Sequence, residues 1–238
     1  MKNHEPNPAV GKIVLDRRGL ALIEFALSFP LVMVIGGFGI ELSNVALTNM
    51  KISQYALNLA DAASRVGVDV GGGVTQLREA DINDVLQGAR IQGLPVALGA
   101  NGRVVLSSLE NTKQSYDTVY KQRIHWQRCF GMQSGSDYNS HYGTTPLTAG
   151  STASASNAGS DASTGMGEAS NKVNAPKDSG VMFVEINYLY SPIFGNLFIS
   201  PRIIRYSASM LVRDNRDYTQ IQNPSPAATA ALCNTYTT

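Results

Sequence analysis

Residues 17–41 read RRGLALIEFALSFPLVMVIGGFGIE, and this stretch decides the fold of the chain. The 21 residues from Leu20 to Ile40 contain one ionisable group, Glu24. A helix that crosses a bilayer needs about 20 apolar residues, so the stretch predicts a transmembrane helix. A carboxylate inside such a span costs on the order of a few kcal/mol unless it has a partner. Glu24 is therefore a predicted functional residue.

Three other interpretations of the apolar run are less favoured. One is an ordinary signal anchor in which the glutamate is incidental. Another is a removable signal peptide, whose apolar core of about 7–15 residues ends at a site of small residues. Here the uncharged run from Phe25 to Ile40 has 16 residues, and Ser43-Asn44-Val45 is a poor cleavage site. The third is a buried helix of a soluble domain, which rarely stays apolar on all sides for so long.

The flanking charges predict the orientation of this helix. Basic residues stay on the cytoplasmic side of a span; four precede the run and only Lys51 follows it closely, so the chain from about residue 42 is expected outside the cytoplasm. The chain has 19 basic and 18 acidic residues, and the first 19 positions hold four of the basic and two of the acidic ones. The rest of the chain therefore has 15 basic and 16 acidic residues, a net charge of −1. Nucleic-acid binding usually needs a basic patch, so no nucleic-acid partner is expected. The four preceding basic residues are Lys2, Lys12, Arg17 and Arg18.

Beyond the membrane the helix is expected to continue to about Val66. Its apolar and small residues recur at spacings of three and four, the stripe of an amphipathic helix, until glycines 67 and 71–73 end it. Pro30 is expected to bend it, because proline removes one intrahelical hydrogen bond. A second, short helix is predicted over residues 75–89. The stripe comprises Leu42, Val45, Asn49, Ile52, Ala56, Leu59, Ala63 and Val66.

The remaining ordered part is predicted to be sheet. Three segments alternate between apolar and polar residues, as half-buried strands do, and a fourth segment, 103–109, is a further candidate strand. A sheet with one apolar face needs a covering layer, and the helical stripe supplies it. The predicted fold is α+β, a long N-terminal helix running from membrane to periplasm and packed on a small antiparallel sheet of about four strands. The segments are residues 103–109, 120–130, 181–190 and 203–213; in the second, Tyr120, Ile124, Trp126 and Phe130 are assigned to one face and Lys121, Arg123, His125, Gln127 and Cys129 to the other.

Residues 133–178 are predicted to form a flexible loop. All but three of residues 148–171 are Ser, Thr, Gly, Ala or Asn. Such a composition buries too little apolar surface to offset the entropy of ordering it. The Gly-rich segment 67–73 is not a phosphate-binding loop, because it lacks the Gly-Lys-Ser/Thr ending and follows no strand.

The leader resembles the class III leader of type IV pilins and pseudopilins. In those proteins a prepilin peptidase cuts after a glycine that follows basic residues, and the new fifth residue is glutamate. Gly19 matches the cleavage glycine, Leu20 the new N-terminus and Glu24 the fifth residue. The pair Glu24-Phe25 is typical of the Flp and tight-adherence (Tad) branch. Tyr-Ser-Pro at 190–192 and SASMLVR at 207–213 are similar to the C-terminal half of TadE-like proteins.

This resemblance implies a structural protein, and it implies a minor component and not the bulk filament subunit, because the chain is longer than the major Flp pilins. The expected function is that of a minor pilin or pseudopilin, which helps to initiate, tip or anchor a surface pilus used in adherence. It implies a leader over 1–19, a membrane half over 20–41 and a periplasmic or extracellular domain over 42–238, inserted in a bacterial inner membrane. The implied partners are the prepilin peptidase, other pilins through the N-terminal helix, the Tad assembly platform and the lipid bilayer. The alternative is a membrane-anchored sensor or adhesin with an uncleaved anchor.

No catalytic, cofactor-binding or metal site is predicted. The three histidines are scattered, and His4 lies in the leader. A zinc site from Cys129, Cys233, His125 and His141 has four ligands in number, but their spacing matches no known pattern. An enzymatic activity is therefore not expected.

A disulfide is predicted between Cys129 and Cys233. The orientation argument places both outside the cytoplasm, where disulfides persist, and they are the only two cysteines in the chain. The tail 223–238 has little apolar content and needs a tether to stay ordered. Two unpaired thiols or an intermolecular link are the alternatives.

Overall fold

The computed structural model describes residues 19–238, and its first element is one long helix. α1 (Leu20–Arg65) has 46 residues and runs through Pro30 without interruption. Its start and end confirm the sequence prediction. Among the described residues it is the one helix long and apolar enough to cross a membrane, by length and composition; its most apolar window has a mean hydropathy of 2.1 and is 0% buried.

Beyond Ile40, α1 buries one stripe of side chains. The stripe runs at spacings of three and four, as expected for an amphipathic helix. The prediction that Leu42 and Asn49 belong to this stripe is wrong, because Leu42 is 52% exposed and Asn49 is also exposed. The helical period carries the stripe through neighbouring positions instead: Glu41, Val45, Thr48, Ile52, Ala56, Leu59 and Ala63 are buried.

Short elements connect α1 to the main sheet. The glycines at 71–73 have positive φ and form the turn of a two-stranded hairpin, which explains the Gly-rich segment. The predicted second helix is confirmed with a later start and end. The elements are β1 (Val68–Asp69), β2 (Thr75–Gln76), α2 (Glu79–Gln92), a 3₁₀ turn (Leu94–Val96) and α3 (Leu98–Asn101).

The main sheet has five antiparallel strands in the order β5-β4-β3-β6-β7, so the α+β class is confirmed. Four strands match the four predicted segments, and the fifth is a two-residue strand from the predicted loop. β7 forms the edge next to β6. The strands are β3 (Gly102–Thr112), β4 (Lys121–Phe130), β5 (Ser160–Asp161), β6 (Ser179–Tyr190) and β7 (Arg202–Leu211).

A bulge in β4 changes the predicted faces of that strand. Trp126 pairs with Ser108 and Ile124 pairs with Leu109, which leaves His125 as the extra residue. An extra residue inverts the alternation beyond it. The prediction that Ile124 shares a face with Trp126 is therefore wrong. Ile124 lies on the opposite face of the sheet, in a core with Leu109 and Phe183.

Residues 133–178 cover that opposite face of the sheet. The segment has little regular structure, but Met166 and Ala149 are 0% exposed. Met166, Ala162 and Ala175 join the core of Leu109, Ile124, Val181 and Phe183. The inference that this segment buries too little apolar surface is wrong, because small side chains let it lie close to the strands. Gln127, on the face assigned as polar, is buried too, and its side chain donates to the Gly143 carbonyl of this segment. Cys129 is buried at its bond to Cys233 of the tail, and the bulge moves Arg123 to the other face, where it is buried against Asp117.

The described residues form two compact units. One contains residues 19–45 of α1 together with residues 192–200, the segment that joins β6 to β7. The other contains residues 46–191 and 201–238, with the remainder of α1 and both sheets. The inclusion of 192–200 in the first unit was not predicted.

Candidate functional site

The predicted cleavage bond, between Gly19 and Leu20, lies at the start of α1. Gly19 is an exposed turn residue, and its carbonyl accepts a helical hydrogen bond from the Ile23 N–H at 3.2 Å. A Cβ built on Gly19 meets nothing within 4 Å. The basic residues Arg17 and Arg18 lie outside the described residues. The local fold of the described chain therefore does not itself require glycine at position 19.

Glu24 lies one helical turn after Leu20. Residues four apart share a side of a helix, so the two are neighbours on α1, and both are exposed. Cleavage after Gly19 would create an ammonium group at Leu20, where the helix dipole is already positive. A carboxylate one turn away offsets both charges. Phe25, the other predicted assembly residue, stacks on Phe29 with ring centroids 5.3 Å apart.

A second carboxylate of α1, Glu41, is 0% exposed. It accepts hydrogen bonds from the Ile193 N–H at 3.0 and 3.3 Å and from the Phe194 N–H at 3.2 Å. Nothing in the local pattern predicts this role, because Glu41 ends the apolar run like an ordinary flanking charge. The only signal in the sequence is the uncharged segment PIFGNLFIS at 192–200, which is unusually apolar for a strand connection.

The same segment packs on the apolar part of α1. A Cβ built on Gly37 would lie 2.9 Å from the Phe198 ring, so the absence of a side chain at Gly37 makes room for this ring. Phe38 meets the Phe198 ring edge to face, with centroids 6.3 Å apart. Phe194 also meets the Phe198 ring edge to face, with centroids 5.6 Å apart. Glu41 and Gly37 lie one turn apart on α1. Glu41 thus holds the segment through two of its backbone N–H groups, and Gly37 leaves room for its Phe198 ring.

The disulfide between Cys129 and Cys233 is present, with an S–S distance of 2.03 Å. Cys129 is in β4, and its N–H donates to the Ala231 carbonyl at 2.8 Å. The Gly131 N–H donates to the Thr237 carbonyl, also at 2.8 Å. The C-terminal tail therefore lies along the edge of β4 beyond its short pairing with β5, and the bond fixes the tail to that edge.

Arg103 holds the same tail from β3. The residue is 2% exposed, and its guanidinium donates to three carbonyls, those of Gly131 at 2.9 Å, Thr235 at 2.8 Å and Cys233 at 2.6 Å. It also stacks over the Tyr236 ring at 4.4 Å. Guanidinium donors in a fixed fork suit such multiple contacts. The tail is thus an ordered part of the domain, as the predicted tether requires.

One buried ionic pair joins the sheet to α2, and another lies between β3 and β4. Arg128 of β4 makes two hydrogen bonds to Glu79 of α2, one of them 2.9 Å long from Nε. The His125 Nδ1 lies 2.7 Å from the Glu110 carboxylate. Burial lowers the pKa of His125, but the charge and hydrogen bond of Glu110 more than offset it, so the pKa is raised. The cavity beside this pair is about 10 Å³, room for about one water, which favours a structural role.

A cleft of about 340 Å³ lies on the covered face of the sheet, beside the buried carboxylate of Glu185. The Ser140 hydroxyl and the His141 N–H donate to this carboxylate. Burial raises the pKa of Glu185 to about 7, although both donors act in the opposite direction. Tyr142 and Arg205 also line the cleft. The group can therefore take up a proton near neutral pH, and no feature of the sequence predicted it.

The alternative zinc site is not formed. Cys129 and Cys233 are bonded to each other, and His125 is engaged by Glu110. Within residues 19–238 no group of three or more His, Cys, Asp or Glu side chains is placed to hold a metal ion.

Comparisons with known proteins give no relative. No protein-family model, no curated protein and no solved structure matches this chain.

Proposed function

We propose that this chain is a minor pilin or pseudopilin of a tight-adherence pilus system. The observation that carries the proposal is the start of α1 at Leu20, the residue that cleavage after Gly19 would expose. From that residue one uninterrupted helix presents an apolar, exposed half and then an amphipathic half. A leader cut at this bond leaves a mature chain whose helix begins at its first residue.

The exposed half of α1 needs an apolar environment. Leu22 and Leu27 are 73% and 74% exposed. Lipid covers such side chains in the inner membrane, and the helices of other pilins cover them in a filament. Contacts of one subunit's helix with a different face of the next generate open helical assemblies. This supports the bilayer and other pilins as successive partners.

Glu24 supplies the specific contact in this proposal. Its carboxylate pairs with the ammonium group of Leu20 on its own chain or on a neighbouring subunit. The pair offsets the desolvation of both charges in an apolar environment. The prepilin peptidase creates this ammonium group, so processing precedes assembly on the Tad platform.

Cleavage is tested by the Gly19→Ala variant, produced together with a prepilin peptidase. The wild-type chain in the membrane fraction should begin at Leu20, and the variant should remain as an inserted precursor. Because a side chain at Gly19 meets nothing within 4 Å, the described fold is not expected to change. N-terminal sequencing and intact mass are the measurements.

Gly36→Ala is the matched control for that experiment. Gly36 is a glycine of α1 that also has nothing within 4 Å of a built Cβ, so this variant should be cut normally. A wild-type chain that begins at Met1 would refute the pilin proposal and favour the uncleaved sensor or adhesin. A chain cut after Ser43 would refute both.

A further inference from the structure

The segment 192–200, which we call the β6–β7 loop, exposes an unusual amount of apolar surface. Ile193, Phe194 and Leu197 are 59%, 41% and 74% exposed, and the segment contains no charged residue. Connections between strands are commonly built from polar and turn-forming residues. A contiguous exposed apolar patch marks an interaction surface. Within residues 19–238 nothing covers these side chains, so their exposure calls for a partner.

The depth of the loop along α1 indicates which partner this is. The Phe198 ring packs at Gly37 and Phe38, which precede the end of the apolar run at Ile40 by three and two residues. At about 1.5 Å per residue the ring lies roughly 3–5 Å inside that end. Interfacial segments bury their apolar faces about 5–10 Å into the boundary of headgroups and acyl chains. The loop is thus placed at the level of a bilayer surface.

The hydrogen bonds that hold the loop to Glu41 also fit a position at the bilayer surface. Backbone N–H groups near the hydrocarbon need acceptors within the protein, because no water replaces them there. The Glu41 carboxylate accepts from two such groups, at Ile193 and Phe194.

We propose that the β6–β7 loop is a membrane-interface anchor, positioned by Glu41, whose apolar side chains enter the periplasmic leaflet beside α1. This inference rests on the membrane insertion of α1 that the proposed function contains. The loop gives the chain a second contact with lipid and restricts how the helix rotates and tilts in the bilayer.

The test uses the full chain in vesicles of phosphatidylethanolamine and phosphatidylglycerol, with an environment-sensitive nitrobenzoxadiazole dye on an introduced cysteine. The native cysteines are bonded to each other, so only the introduced thiol reacts. Leu197→Cys reports on the loop. Val119→Cys is the matched control, because Val119 is a comparably exposed apolar residue, at 58%, in the β3–β4 connection. That connection leaves the sheet at the end remote from Tyr190 and Arg202.

The dye at Leu197 should show blue-shifted emission and lose intensity to a lipid nitroxide near the headgroup more than to one near the acyl-chain end. The dye at Val119 should show neither effect. Equal, aqueous emission at both positions would overturn the proposal. A blue shift at Leu197 that neither nitroxide quenches would also overturn it, because a protein partner would then cover the loop.

A third label separates this inference from the proposed function. Val32 is a 63% exposed residue in the middle of the apolar run of α1. Quenching of a Val32→Cys label by the deep nitroxide together with an aqueous label at Leu197 would reject the anchor alone. An aqueous label at Val32 would reject the membrane span, and the anchor with it.

Glu41 is tested in the Leu197→Cys background. Glu41→Ala removes both acceptor oxygens and should reduce quenching by the headgroup nitroxide, whereas Glu41→Gln keeps one acceptor and should retain most of it. Unchanged quenching in Glu41→Ala would overturn the positioning role of Glu41.

Discussion

Replacement of Glu185 by glutamine provides a sharp test of the covered face of the sheet. The Glu185 carboxyl accepts hydrogen bonds from Ser140 and His141 and is 3% exposed. Its pKa rises from 4.5 to about 7 because burial disfavours the charged form. Glutamine keeps an oxygen for the His141 N–H, and its amide can donate to the Ser140 hydroxyl. The substitution therefore removes the charge with little change in hydrogen bonding.

The sign of the effect follows from proton binding. The folded chain binds the Glu185 proton more tightly than the unfolded chain does, so stability falls as the pH rises from about 4.5 to about 7 and then levels off. The two pKa values differ by roughly 2.5, and each unit corresponds to about 1.4 kcal/mol, which gives a loss of roughly 3 kcal/mol. The Glu185→Gln variant should be as stable as the wild type below pH 4.5 and more stable than the wild type above about pH 7. For a chain of this size the gain corresponds to about 6–12 °C in Tm.

The measurement is thermal unfolding of the full, disulfide-bonded chain in mild detergent at about pH 4 and about pH 8. The single tryptophan, Trp126, is 2% exposed and reports on the sheet by fluorescence. Asp84→Asn, which removes an exposed carboxylate of α2, is the control and should stay within about 0.5 kcal/mol of the wild type at both values. A Glu185→Gln difference of equal size at both pH values would refute the reasoning, and so would a less stable variant at the higher pH.

The disulfide closes a loop of 104 residues, so the double variant Cys129→Ala/Cys233→Ala should lose about 4–5 kcal/mol in the chain-entropy model. Alkylation of the wild-type chain under denaturing conditions, followed by intact mass, should find no free thiol, and two modified thiols would contradict the bond. Glu24→Ala and Glu24→Gln should both be cut normally but fail to support piliation or surface attachment, because neither carries the charge that pairs with the new ammonium group. Wild-type attachment in either variant, at an equal protein level, would remove the assembly role of Glu24.

The elements that the sequence predicts well are those whose signal is local and repeated. α1 could be delimited to within one residue because its apolar run, its stripe and the glycines after it all specify the same ends. Three of the four long strands followed from the alternation of apolar and polar residues, and β3 was predicted as a candidate without it. The Cys129–Cys233 bond followed from the presence of only two cysteines in the chain. The leader, the cleavage and the pilus function stay predictions.

The features that the sequence did not predict depend on contacts between distant segments. The bulge at His125 is invisible in the composition of β4, because either face assignment places apolar residues together until β3 fixes the register. Residues 133–178 contain few large apolar side chains, and they bury what they have because β3, β4 and β6 offer a face to cover. Glu185 and Glu41 belong to ordinary patterns in sequence and become distinctive only through their burial.

The two glutamates of α1 lie near the two ends of the apolar run and have different surroundings. Glu24 and Glu41 are 17 residues apart, which corresponds to about 26 Å along a helix and approaches the ~30 Å thickness of a hydrocarbon core. Glu41 is buried, and backbone donors of its own chain satisfy it, so its charge needs no other subunit. Glu24 is exposed and next to the bond where cleavage would create a cation. Under the proposed function, Glu41 would hold the later end of the apolar run to the chain's own loop, and Glu24 would remain available for processing and assembly.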